Sequence, residues 1–366
     1  MRLNCKHFGH ILGLVLLLVF YCEFLVYYLV LWQCHWPELA SDRSHETVLR
    51  TFFIADTHLL GSRLGHWFDK LRREWQMHRS FVTASTFLQP DLTFFLGDLF
   101  DEGKWSSPQE FEETFQRFQS LFPTQNKAVV IGNHDVGFHY DVTNYKRKRF
   151  YEAFGTDSTG IRRFSVKNVH FVLVDSLAMH GDNCYFCAPA MKKVKNLAKE
   201  LKCMKTKECE VVHQEDYSRP ILLQHFPLFR KSDAECHSND PDELQNPEEK
   251  SKEFKAQWDC LSEESSKFLL EKIKPRLVLS GHTHHGCKIL HSLKNGRKVP
   301  EWSVASFSWR NRNNPVIVLA TLTPDEFVLD KCFLPEENTI LNIYFFGSVL
   351  IIVYALVTRR KFTRRF

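Results

Sequence analysis

Net charge is missing from most of this chain. Its 366 residues carry a formal +5, but Arg2, Lys6, Arg359, Arg360, Lys361, Arg364 and Arg365 at the two ends supply +7, and Glu23 supplies −1. Everything between therefore holds −1, so the basic excess belongs to the ends and no face for nucleic acid is expected. Charge is also scarce in two apolar runs. Residues 11–31 contain a single charged residue, Glu23, and residues 340–357 contain none. Each run is about long enough to cross the ~30 Å hydrocarbon core of a bilayer. The first exceeds the roughly 7–15 apolar residues of a signal-peptide core, and the following WQCHWPELAS makes a poor cleavage site, so it reads as a retained anchor. The second ends in TRRKFTRRF, not in the apolar tail of a glycolipid-attachment signal, and reads as a true span.

Lysine and arginine at both ends put residues 1–10 and 358–366 in the cytosol by the positive-inside rule. Residues 32–339 are then expected in a lumen or outside the cell. No Asn-x-Ser/Thr acceptor occurs in that part, which excludes N-linked glycans there. Cysteine, by contrast, is plentiful: Cys34, Cys184, Cys187, Cys203, Cys209, Cys236, Cys260, Cys287 and Cys332. In an oxidising compartment most of these should pair, and an odd number leaves at least one over. A zinc ribbon from CYFC with Cys203 and Cys209 is the competing reading of that cluster.

The 32–339 segment repeats one rhythm: a short apolar run, a polar signature, an amphipathic stretch. The runs are LRTFFIADTH, DLTFFLGD, KAVVIGNHD, VHFVLVDS, RPILLQHFP and PRLVLSGHTH. Continuous apolar runs of this length suit strands buried on both faces. Residues 65–88, 107–121 and 262–273 suit helices between them, and the alternation predicts an α/β layered domain. VIVLATLTPDEFVLDKCFL reads as a closing hairpin around Thr-Pro-Asp. Two insertions, 178–218 and 231–260, lack the rhythm and read as loops or small subdomains, with a substrate-selecting lid as their functional reading.

Five of the six runs end in a ligand type. They give Asp56 and His58, Asp98, Asn133 and His134, His225, and then His282, His284 and His285; the sixth ends at Asp175, which fits no such slot. Strand C-termini are where α/β sheets build sites, so these distant motifs can converge on one crevice. A packed core has no use for that many imidazoles and carboxylates at strand tips, each of which would need a buried partner. Mixed His, Asp and Asn donors suit Zn, Mn or Fe more than thiolate-seeking metals. Two divalent ions bring four positive charges; Asp56, Asp98 and a hydroxide remove three, and the remaining positive charge attracts a phosphate ester.

D-x-H, G-D, G-N-H-D, H and G-H-x-H in this order resemble the calcineurin-like metallophosphoesterases over roughly residues 50–310. The resemblance implies an αββα sandwich between the two transmembrane helices, and a pair of metal ions. It assigns Asp56, His58, Asp98 and His284 to one ion, and Asp98, Asn133, His225 and His282 to the other. It makes His134 the catalytic imidazole, with Asp135 orienting it, and leaves His285 a neighbour. Asp101 is expected to support Asp98 or a water on the metal. Arg310 and Arg312 in SWRNRNNP are candidates for holding a phosphate or glycan, and His139 for joining the site.

ADTHLLG, GHWFDKLRREWQM, GDLFDEGKW, GNHDVGFHY and SFSWRNRNNP, with a span at each end, are similar to a membrane-bound branch of that family acting on glycosylphosphatidylinositol (GPI) anchors. That resemblance implies a phosphodiesterase removing ethanolamine phosphate from the second mannose of protein-bound GPI, with manganese, in the early secretory pathway. GPI-anchored proteins would be substrates, and cargo-export receptors candidate partners. The alternatives are another lumenal phosphomonoesterase or pyrophosphatase, or a non-catalytic GPI-binding cargo receptor.

Overall fold

The computed structural model describes residues 5–40, 47–207, 215–237, 240–293 and 296–363, with side chains from residue 7 to residue 358. Arg2, Cys209, Arg364 and Arg365 lie outside the described residues. Helix α1 (Cys5–Phe20) continues through a π turn at Tyr21–Leu25 into α2 (Val26–Leu31). Then follow β1 (Leu49–Ile54), α3 (Trp67–Leu88), β2 (Leu92–Phe95), α4 (Pro108–Leu121), β3 (Lys127–Val129), α5 (Asn133–Val136) and α6 (Asn144–Phe154). The hairpin β4 (Ile161–Val166) and β5 (Val169–Val174) precedes α7 (Cys187–Thr206), β6 (Ile221–Gln224), α8 (Pro247–Lys250), α9 (Glu263–Ile273) and β7 (Leu277–Ser280). The last elements are β8 (Cys287–Ser292), β9 (Lys298–Ser303), β10 (Val316–Leu322), β11 (Phe327–Phe333) and α10 (Glu337–Thr363).

The strands form two sheets, ordered β11-β10-β1-β2-β3 and β4-β5-β6-β7-β9-β8. Side chains alternate across each strand, and the alternation sorts the core into layers. Phe53 stacks on Phe94 at 4.9 Å, and Phe94 meets Phe171 of the other sheet at 4.7 Å. Ala55, Leu96, Leu223 and Leu279 join them between the sheets. Their neighbours Phe52, Ile54 and Phe95 face outward, into a cluster with Phe81 of α3 and Phe118 of α4. The far sheet sends Val172, Leu222 and Val278 into that cluster with Val194 and Leu197 of α7 and Leu269 of α9. The result is the expected helix–sheet–sheet–helix sandwich. Truncating a ring such as Phe94 to Ala in a core of this kind costs ~3–5 kcal/mol.

All six apolar runs are strands, and the closing segment is the β10–β11 hairpin. Sequence pattern missed β4, β8 and β9, whose residues are only partly buried and form no continuous apolar run. Residues 178–218, read as loops or a small subdomain, hold a helix among their described residues. This is α7, whose Ala190, Val194, Leu197 and Leu201 make a buried stripe at helical spacing. Disulfides join Cys34 to Cys332, Cys184 to Cys187, and Cys236 to Cys287, while Cys22 and Cys260 are free. Cys203 is disulfide-bonded as well, so CYFC and Cys203 are not arranged as a zinc ribbon.

Helices α1–α2 and α10 are each long and apolar enough to cross a membrane. They emerge on the site side of the sandwich. Antiparallel pairing sets Val316 of β10 opposite Phe333 of β11, at the sheet end where β1 and β2 finish, and α10 starts just beyond. The Cys34–Cys332 disulfide holds the end of the first apolar helix to the same corner.

Candidate metal centre

Strands β1, β2 and β3 lie parallel in one sheet, and β6 and β7 lie parallel in the other. Their C-terminal ends meet at the seam. The first sheet delivers Asp56, His58, Asp98, Asn133 and His134; the second delivers His225, His282 and His284. Backbone strain concentrates there. Of twelve non-glycine residues with positive φ among the described residues, five are Asp56 (+54°), His58 (+44°), Asp98 (+48°), His282 (+74°) and His284 (+62°). Such conformations cost of order 1–3 kcal/mol each and persist where surrounding structure enforces them, which is common at functional sites. The glycines before Asp98 and Asn133 have their own reason. A Cβ at Gly97 would sit 2.5 Å from His225 Nδ1, and one at Gly132 would collide with the Asp98 backbone and carboxylate.

The ligand atoms form two groups that share one residue. Asp56, His58, Asp98 and His284 approach one another, as do Asp98, His225 and His282. His58 Nε2 lies 3.0 Å from His284 Nε2 and 3.6 Å from Asp98 Oδ2. On the other side His225 Nε2 lies 3.3 Å from the same Asp98 Oδ2, 3.2 Å from Asn133 Oδ1 and 3.2 Å from His282 Nδ1. Asp98 Oδ1 is occupied by the His134 amide at 2.7 Å, which leaves Oδ2 as the shared atom.

Hydrogen bonds behind the imidazoles fix which nitrogen faces inward. His225 Nδ1–H donates to the Leu96 carbonyl at 2.7 Å, and His282 Nε2–H to the Trp258 carbonyl at 2.8 Å. His58 Nδ1–H donates to Asp101 Oδ1 at 2.8 Å. A carbonyl or carboxylate can only accept, so in the neutral ring each opposite nitrogen carries a lone pair. Without metal, burial disfavours a proton on His225, but the Asp98 and Asp56 carboxylates outweigh it and raise His225 to about 9. Asp56 accepts from the His282 amide, but with the rings neutral their lone pairs and Asp98 Oδ2 converge with no donor between them and repel unless a cation sits among them. The donor set thus fits two divalent ions at distinct positions, sharing Asp98.

His134 stands beside these groups. Its Nδ1–H donates to the Asp101 carbonyl at 3.0 Å, and its ring meets His58 edge-on at 4.7 Å. Burial and the His58 charge pull its pKa below the ordinary histidine value, against the opposing pull of Asp98. Asp135 does not hold this ring. Its carboxylate accepts from the Gly132 and Phe100 amides at 2.8 and 3.0 Å, bracing the loop that carries Asn133. Asp101 takes the orienting part instead, and it supports His58 rather than Asp98. Burial raises its carboxyl, but the His58 hydrogen bond and the charges of His58 and Arg310 outweigh that and hold it low.

Arg310 Nη2 meets Asp101 Oδ2 at 3.0 Å, so its guanidinium borders the site. Arg312 is different. Its donors go to the His284 carbonyl at 2.9 Å, the Asp242 carbonyl at 2.8 Å, His285 and Asn314, which makes it a brace for the histidine loop. His139 also departs from expectation. Its Nδ1–H donates to the Leu177 carbonyl, its Nε2 pairs with Asp182, and its ring stacks on His180 at 3.7 Å. His285 stays outside both ligand groups. Asp175 caps the turn at Leu177 and binds Arg147 and Tyr151, a structural role. Sequence reasoning missed Glu102, which accepts from the Gly61, Arg63 and Leu64 amides and pins the loop after His58. It also missed the Trp258 and Leu96 carbonyls, which leave no trace in residue type.

A calcineurin-like phosphoesterase profile matches residues 49–286. The chain belongs to the calcineurin-like phosphoesterase family and is a metal-dependent hydrolase of phosphoric esters. Among curated proteins it is similar to metallophosphoesterase 1 of Xenopus laevis, 47% identical over 97% of this chain and 90% of that protein. The Gallus gallus protein of the same name is 48% identical over 92% of this chain and 86% of its own length. Among solved structures, purple acid phosphatase from yellow lupin seeds superposes with a TM-score of 0.51 at 12% identity, covering 84% of this chain. The match spans 56% of that phosphatase, and it speaks for the fold alone.

When bound, the ions supply a nucleophile at neutral pH and charge stabilisation for the phosphoryl oxygens. The chain's own part is positional. Asp98, His58 and His225 keep acceptor atoms aimed at fixed points, and strained backbone with carbonyl-anchored imidazoles removes the freedom to turn away. His134 presents Nε2 to the space beside them, where once protonated it can give a proton to a departing oxygen.

Proposed function

We propose that this chain is a dinuclear phosphodiesterase that removes side-branch ethanolamine phosphate from the second mannose of GPI anchors on proteins. The observation that carries the reading beyond the family is where the metal centre sits. Trp309 packs into one cluster with Cys22, Val26, Tyr27 and Ile340 of the two apolar helices. The next residue, Arg310, binds Asp101 within the site. One residue separates the apolar helices from the catalytic groups, which suits an ester attached to a lipid.

Relatives of the same name across vertebrates, 47 and 48% identical, support a shared substrate class. Mixed His, Asp and Asn donors suit manganese, with zinc and iron as neighbours in that range. Disulfides at Cys34–Cys332 and Cys236–Cys287 favour an oxidising lumen for the domain. Basic termini favour cytosolic tails. The compartment proposed is the early secretory pathway: endoplasmic reticulum exit sites, the intermediate compartment and the Golgi. There the enzyme would act on GPI-anchored proteins before export, with cargo-export receptors as partners.

The test incubates the purified, manganese-loaded protein with GPI glycans bearing or lacking the side branch. Mass spectrometry should find phosphoethanolamine released from the first and none from the second. Turnover of a nitrophenyl phosphodiester without release from the GPI glycan would reject the substrate while leaving the phosphoesterase intact.

A further inference from the structure

Helix α3 lies alongside the first apolar helix, in the same direction. Phe24 meets Trp75 edge-on at 5.3 Å, and Trp75 Nε1 donates to the Glu23 carbonyl at 3.2 Å. One turn on, the Arg79 guanidinium covers Phe24 and Tyr28. Further on, Phe87 packs against Tyr28 and Trp32. Arg72 ties the same helix to the start of α10 through Glu337 at 2.8 Å. Residue numbers rise together in the two helices, so the start of α3 points back along the apolar helix. Trp67 precedes Trp75 by eight residues, about 12 Å at ~1.5 Å per residue.

That projecting end is apolar and uncovered. Trp67, Phe68 and Leu71 are 67%, 56% and 57% exposed, and Leu64 in the preceding loop is 37% exposed. With Trp75 they occupy positions i, i+1, i+4 and i+8, one stripe of the helix. Asp69, Lys70, Arg73 and Glu74 lie off that stripe. Tryptophan beside apolar residues, with charge at the flank, is the composition of a bilayer interface.

We propose that the first two turns of α3 are an interfacial foot, with Trp67, Phe68, Leu71 and Leu64 seated in the bilayer surface next to the two spans. This rests on reading α1–α2 and α10 as membrane-spanning. The foot adjoins the metal centre: the loop from His58 to His66 connects them, and buried Glu102 fixes it through three amides. Contact with lipid at α3 therefore sets the height of Asp56 and His58 above the membrane, and holds the site against a lipid-borne ester.

Spin labels placed in the full chain, reconstituted in phosphatidylcholine nanodiscs, test this. Phe68→Cys and, separately, Leu71→Cys report on the foot. Leu17→Cys reports on the span and Leu290→Cys on a distant exposed strand, at 62% and 47% exposure. Collision with oxygen should dominate at 17, 68 and 71, and collision with a nickel chelate at 290. Nickel access at 68 and 71 with oxygen preference at 17 overturns the foot alone. Nickel access at 17 overturns the spanning helix, and the foot with it. A second measurement uses W67S/F68S/L71S, checked for unchanged metal content. Turnover of a phosphodiester embedded in the nanodisc should fall about tenfold relative to a soluble nitrophenyl phosphodiester; equal change on both contradicts the proposal.

Discussion

Among the described residues, two of the clusters that hold side chains of the kind metal sites use are built oppositely. At the strand tips, His58, His225 and His282 each give one ring nitrogen to a fixed acceptor and aim the other at shared space. Around His139, Asp182, Cys184 and Cys187 the inventory is richer in sulfur, yet nothing is left over. Both nitrogens of His139 have partners, and the two cysteines are joined to each other. His180, stacked on His139, is brought down to about 4 by burial and its neighbour's charge. Inventory alone does not make a centre. What distinguishes the first cluster is converging lone pairs held by strained backbone, and the second uses the same residue types to close a fold.

The largest effect expected from breaking the comparison is at Asp98. Asp98→Asn keeps the volume but removes the charge that both ligand groups share, so activity should fall by more than about a thousandfold and metal content should drop. Wild-type metal content in that variant would remove Asp98 from the shared role.

Next comes His134, which belongs to neither of the two groups that share Asp98, though it approaches His58 and Asp101. Its Nδ1 is taken by the Asp101 carbonyl and both Asp98-sharing groups are complete without it, so metal content should change little in His134→Ala. Hydrolysis of an ester with a poor leaving group should fall by about 10²–10⁴, the usual value of a proton donor. A nitrophenyl ester should lose much less, and equal losses would mean the ring holds phosphate instead of giving a proton.

Asp101→Asn tests the bracing behind His58 and should weaken metal affinity or activity by roughly 10–100-fold. An unchanged metal titration would show that the Asp101 contact is incidental.

The second cluster should give the smallest change. His139→Phe is expected to leave metal content and turnover near wild type while costing stability by about 1–3 kcal/mol, since the buried Leu177 carbonyl loses its hydrogen bond. A collapse of metal binding would merge the two clusters. The pH signature follows from His180. Its folded pKa is depressed, so the unfolded chain binds the proton more tightly and stability is lost as pH falls from about 6.5 towards 4. Thermal melts over that range, with and without His180→Gln, read the difference.

Much of the centre was legible because its ligands are tied to motifs. Asp56, His58, Asp98, Asn133, His225, His282 and His284 were all read from strand-tip signatures, and the structure brings every one of them together. Roles given to residues around the ligands, by the resemblance for Asp135 and by nearness to the last motif for Arg312, fared worse. Asp135, next to His134, and Arg312, two residues from Arg310, brace backbone, because which way a loop side chain points depends on contacts from distant segments. Asp101 was noticed as a support for Asp98 or a water on the metal, but not as the partner of His58: that reach depends on the β1 and β2 loops lying side by side, a pairing local sequence does not display. The strands that escaped notice, β4, β8 and β9, are those without a continuous apolar run.

Asp98 Oδ2 lies between His58 and His225, so two bound ions would both be held by this one carboxylate. Electron paramagnetic resonance of the manganese-loaded chain, with the metal counted by mass spectrometry, tests it most directly. The account predicts two ions per chain and an exchange-coupled multiline spectrum, lost in Asp98→Asn. A single ion per chain, or two ions giving only uncoupled six-line signals, would contradict it.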